Sequence, residues 1–177
     1  MDTEQAQRAV ESVIKNHVVS KAYEKLAKKY VDVEIPKELS LLETLEAFLQ
    51  SLREESPQNP EKIAEAERQI ETTKKTTISG TLVPLKTSDM FVVQGVIAET
   101  AMRGREMGFE MDVQLFVMAK AERCATLFLA LRQKNNAGER YFKTQEEVLL
   151  VDDRVLVELA KAYRDNFVLT DEERKNS

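Results

Sequence analysis

Tryptophan is absent from this chain of 177 residues, and cysteine and histidine occur once each, as Cys124 and His17. One cysteine excludes an internal disulfide framework and fits a reducing compartment. Zinc sites draw on several Cys and His ligands, more than this chain contains. Five Gly and four Pro are few, which argues against a sandwich, a barrel or a disordered chain. No apolar run approaches the roughly 20 residues that a helix needs to span a bilayer. The opening MDTEQAQ has no leader-like pattern. The expectation is a soluble cytoplasmic protein.

Charge of one sign is lacking too. The net charge is -5, and a cut at Lys75 leaves 12 basic against 15 acidic residues before it and 14 against 16 after it. No half is basic and no tail is acidic, so nucleic-acid and anionic-membrane partners are not expected. What the chain has is apolar periodicity: 42% of its residues are hydrophobic and 32% are charged.

Residues 3 to 30 read as one long amphipathic helix, with Ala6, Val10, Ile14, His17, Val18, Ala22, Leu26 and Tyr30 at steps of three and four. VDVEIP ends it, since Pro36 disfavours helix at Ile35. A second helix is expected from Pro36 or Lys37 to Glu55. Its narrow stripe of Leu42, Leu45, Leu49 and Leu52 is close to a coiled-coil seam. SPQNP breaks it, and Asn59 before Pro60 starts a third helix with Ile63, Ala66 and Ile70 on its apolar side. Residues 1–75 are therefore expected to form an N-terminal helical arm, and 76–177 a mainly helical domain.

That second part opens on TTISGTLVPL, the one strand candidate, expected at a sheet edge or in a small hairpin because of Gly80 and Pro84. A helix capped by Ser88 or Thr87 follows, with Met90, Val93, Ile97 and Ala101 inside and Gly108 as its left-handed stop. Residues 111–134 are expected to be the central core helix, burying Val113, Phe116, Val117, Cys124, Leu127, Phe128 and Leu131. NNAGERYFK reads as a tight Gly turn and an aromatic extended segment. Thr144, Asp152 and Thr170 then each precede acidic residues, the signature of three capped helices. The fold class is mainly α, a helical bundle with a helical arm and one short strand or hairpin.

Chemistry is harder to find. His17 lies on an apolar stripe with no partner in view, and Cys124 sits on the inner face of the most apolar helix, as a structural thiol would. Asp152, Asp153 and Glu158 lack the alternating ligands around a Gly that a calcium loop needs. Gly104 and Gly108 have neither the leading strand nor the GK[ST] of a phosphate loop. No catalytic site, metal or cofactor is expected, and interaction surfaces remain. The stripe Leu42, Leu45, Leu49 and Leu52 either packs within the arm or meets another chain, including a second copy. Tyr141, Phe142, Phe167 and Leu169 either staple the C-terminal helices or line a partner groove.

From Thr77 onward the chain resembles the tail assembly chaperones of long-tailed bacteriophages. The resemblance lies in ISGTLVPLKTSD, a strand running through a Pro-Leu-Lys-Thr step into a helix. It continues through AGERYFKTQEEV and DDRVLVELAKAYRDNFVLTDEE. The segment before Thr76 falls outside it. It implies a non-enzymatic protein that binds the tape measure protein in the host cytoplasm. There it keeps that protein soluble while tail tube protein polymerises around it, and leaves before the particle is complete. Members of the family are often made in a second, frameshifted form. The alternative is a helical scaffolding adaptor that oligomerises through its arm and stays in a particle.

Overall fold

A computed structural model describes residue 25, residues 27–55 and residues 59–176. It is mainly helical, with one small four-stranded antiparallel sheet. Most of the helix expected over 3–30, His17 included, lies outside the described residues. The chain is helical at Lys25 and Ala27 and has left the helix by Lys28.

The segment expected only to end that helix is a strand, β1 (Val31–Pro36). Its pattern has period two: Val33 is buried and Val31 and Ile35 half-buried, while Asp32 and Glu34 face solvent. A helical hairpin follows, made of α1 (Leu39–Glu54) and α2 (Pro60–Lys75). Asn59 caps α2 as expected, its side chain accepting the Lys62 amide at 3.2 Å, with Pro60 at the first helical position. Ion pairs Arg53–Glu67 and Lys74–Glu46, each 2.8 Å, lace the hairpin from outside.

The chain returns as β2 (Thr77–Leu82), which pairs with β1 from Val31 opposite Leu82 to Pro36 opposite Thr77. This ladder ties together the stretches on either side of the division expected after residue 75. β2 is an inner strand, not an edge, because β3 (Leu131–Gln133) pairs with its other side. Gly80 is what permits this. A Cβ there would stand 2.8 Å from the Arg132 carbonyl oxygen, whereas Pro84 lies beyond the strand and withholds no ladder hydrogen bond.

Two long helices, α3 (Thr87–Glu106) and α4 (Met111–Ala130), form a second hairpin. Thr87 and Ser88 lie inside α3 rather than capping it. The cap is Lys86, whose amide donates to the Asp89 carboxylate at 3.1 Å. Gly108 takes the left-handed conformation expected of it, φ 70°. α4 stops at Ala130, four residues short of expectation, because Leu131–Gln133 is drawn into the sheet. β4 (Asn136–Arg140) pairs back on β3, the turn falling at Lys134–Asn135 rather than at Gly138.

The three capped helices are all present: α5 (Gln145–Leu149), α6 (Asp153–Phe167) and α7 (Asp171–Asn176). Thr144 accepts the Glu147 amide at 3.4 Å and Asp152 the Arg154 amide at 2.8 Å. Thr170 and Glu173 form a reciprocal capping box, at 3.3 and 2.7 Å. The core gathers where α4, α5 and α6 meet the sheet. Leu82, Leu127, Leu131, Val148, Val155, Leu156 and Leu159 are fully buried there. Each contributes about 1.5–3 kcal/mol of transfer free energy. The Tyr163 hydroxyl accepts the Leu85 amide at 3.2 Å and fixes the β2–α3 connection to α6.

Candidate partner-binding surface

The eight residues expected to meet a partner are largely covered by this chain itself. Leu42 and Leu52 are buried and Leu45 and Leu49 half-buried in α1, whose neighbour α2 buries Ala66 and Ile70. Phe142 is buried in the main core, and Tyr141 packs edge-on against it at 5.0 Å. Phe167 rests on that core 5.4 Å from the Tyr163 ring, and Leu169 is half-buried. The two groups sit in different parts of the fold and make no common groove.

The uncovered apolar surface is elsewhere, on the α3–α4 hairpin. Met90, Val113 and Phe116, expected inside, are exposed. Phe91 is 72%, Met107 69% and Met111 68% exposed, and Val92, Met102 and Leu115 lie open beside them. Helix geometry explains why. At about 100° per residue, the run Met90-Phe91-Val92-Val93 covers most of a helix circumference, so one core cannot take all four. Val93 goes inward with Gly104, and Phe91 goes outward. Gly95, Ala98 and Met102 follow Phe91 at steps of four, three and four, so the four share one outward face. Nothing lies within 4 Å of a Cβ built on Gly95. The stripe is therefore a trough: small residues in the middle, a ring and a thioether at its ends.

The hairpin that carries this face is braced from behind. Gln114, buried in α4, donates through Nε2 to the Ala101 carbonyl oxygen at 2.8 Å. Gly104 lets α4 approach, since a Cβ there would stand 3.3 Å from the Gln114 side chain. The Phe109 amide donates to the Gly104 carbonyl oxygen at 3.0 Å and closes the turn. Val113 and Phe116 are exposed because they lie in the first half of α4; the helix's buried apolar residues run from Cys124 to Ala130. A groove of about 320 Å³ separates α3, α4 and α5, walled by Val96, Thr100, Cys124 and Ala125 and edged by Leu149, Gln145 and the Glu99–Arg103 ion pair. Leu150, next in the chain, is 87% exposed.

Chemically the surface is soft and apolar. Four of the six methionines, Met90, Met102, Met107 and Met111, are exposed along the α3–α4 hairpin. Unbranched thioethers repack against different apolar shapes at low cost. Cys124 is a buried free thiol, pushed up from its ordinary range by burial against the weaker pull of Lys120 and Arg123. Such a thiol stays protonated. Asp152 and Asp153 serve as helix cap and as partner of Lys120, the latter at 2.8 Å. Among the described residues, no three His, Cys, Asp or Glu side chains converge on a metal position, and no helix is long and apolar enough to cross a membrane.

Two signals for this face were present in the sequence: the four-residue apolar run in α3, and apolar residues on every side of α4's first half. Comparison with protein-family models, with curated proteins and with solved structures found no match to any of the three.

Proposed function

We propose that this chain is a non-enzymatic tail assembly chaperone of a long-tailed bacteriophage. Its client is the tape measure protein, which it holds soluble in the host cytoplasm until tail tube protein encloses it. The observation that carries the reading is the exposed outward face of α3, from Phe91 through Gly95 and Ala98 to Met102. Contiguous exposed apolar surface on a soluble chain marks a place where another apolar surface docks. A trough of small residues between bulky ends fits a helix laid along it, and a tape measure protein consists largely of long helices with apolar faces. The rest of the surface is heavily charged, which keeps a chaperone–client complex in solution. ISGTLVPLKTSD, AGERYFKTQEEV and the capped C-terminal helices carry the resemblance from which this client is proposed.

Co-expression with the tape measure protein encoded in the same operon tests this reading. With the wild-type chain the client stays in the supernatant after high-speed sedimentation. With Phe91→Asp plus Met102→Asp it pellets; both positions are exposed, so the fold tolerates the change. Purified tails then contain none of this chain. Its retention in finished tails would favour the scaffolding adaptor instead.

A further inference from the structure

We infer that the cleft between the first turn of α3 and the β3–β4 hairpin binds an acidic segment of another protein, setting its carboxylates against Lys29, Lys86 and Arg132. The site uses different residues from the apolar face and stands whether or not that face receives a client. Its volume is about 770 Å³, and Lys28, Lys29, Lys86 and Arg132 line it against one carboxylate, Asp89.

Three features of the cleft ask for a negative partner. Arg132 lies directly opposite Arg140 across the β3–β4 pair, an arrangement of like charges that weakens a sheet. Arg140 meets the Phe128 ring, 4.5 Å from its centroid, while the Arg132 Nε is buried with no hydrogen-bond partner. Burial, then Arg140, holds the Arg132 guanidinium below its ordinary range, with Asp89 opposing them. Secondly, among the described residues the lysines have no carboxylate partner. Lys28 donates to the neutral Asn166 Oδ1 at 2.5 Å, and among the described residues no ion pair includes Lys29, Lys86 or Arg132. Thirdly, Asp89 already accepts the Lys86 amide. Buried donors are nearly always satisfied in native proteins, and an orphan beside a repelling cation fits a site kept ready for a ligand.

The partner is a protein segment rather than nucleic acid. Among the described residues, no aromatic ring lines the cleft to stack on a base. The cleft is far larger than one inorganic anion, and guanidinium and ammonium groups at several points suit a row of carboxylates.

Fluorescence anisotropy at physiological salt tests this with a labelled Asp/Glu-rich peptide, its Asn/Gln counterpart, a labelled oligo-dT strand, and inorganic phosphate as competitor. The acidic peptide binds and the amide peptide does not. Lys29→Glu and Lys86→Glu, both on exposed side chains, each weaken binding at least about tenfold. Arg132→Met abolishes binding and raises Tm, because it removes both the orphan donor and the repulsion; a purely structural arginine would lower Tm on replacement. Absence of peptide binding, binding indifferent to the two lysines, or a fall in Tm for Arg132→Met would overturn the proposal. So would preference for the oligonucleotide, or displacement of the peptide by millimolar phosphate.

Discussion

Asp152 and Ser40 are joined by two hydrogen bonds, from the Ser40 amide to Oδ2 at 2.9 Å and from its hydroxyl to Oδ1 at 2.8 Å. The same carboxylate caps α6 through the Arg154 amide. One side chain thus opens α6 and holds the first turn of α1, 112 positions away in sequence. Burial disfavours its charge, but the donors from Ser40, Arg154 and Val155 outweigh burial and hold its carboxyl below the ordinary range.

Asp152→Ala is expected to cost about 1–2 kcal/mol, the scale of a lost cap with its hydrogen bonds. Because the folded pKa is depressed, this contribution is complete above the unfolded value near about 4 and is lost as pH falls through the folded value. Urea denaturation of both proteins from pH 7 downward checks it: the gap narrows only below about pH 4. A constant gap would show that the charge contributes nothing.

Two glycines should respond in opposite directions. Gly80→Ala drives a Cβ against the Arg132 carbonyl oxygen and is expected to cost about 1–3 kcal/mol, the range for overpacking. Gly95→Ala meets open space in a helix and should gain about 0.5–1 kcal/mol. It also fills the middle of the trough, so client retention in pull-downs should fall as Tm rises. A gain in both would remove Gly95 from the binding face.

For the leucine stripe the seam with α2 decides the expectation. Leu45→Asp with Leu49→Asp places two charges in that half-buried seam and should lower helicity and the urea midpoint together. Circular dichroism and sedimentation velocity check it. Conversion of an oligomer to a monomer at unchanged helicity would assign the stripe to self-association instead.

Local signals were the legible part of this fold. Asn59-Pro60, Thr144, Asp152, Thr170 and Gly108 act through neighbours a few residues away, so reading them needs no tertiary knowledge. Strands were less visible because pairing is long-range. VDVEIP alternates cleanly, yet its proline and the preceding helical pattern masked it, and LRQ looks helical until β2 claims it. The exposed apolar residues of α4 were hard to foresee for a related reason. Periodicity shows that Val113 and Phe116 share a side of α4 with core residues, but not where along the helix the core ends.

The most direct test of the α3–α4 face is methyl NMR of protein labelled at the methionine methyl carbon, titrated with the tape measure protein. Met90, Met102, Met107 and Met111 should shift or broaden on complex formation, with half-buried Met118 moving less. A complex that forms while those four signals stay unchanged would contradict the account.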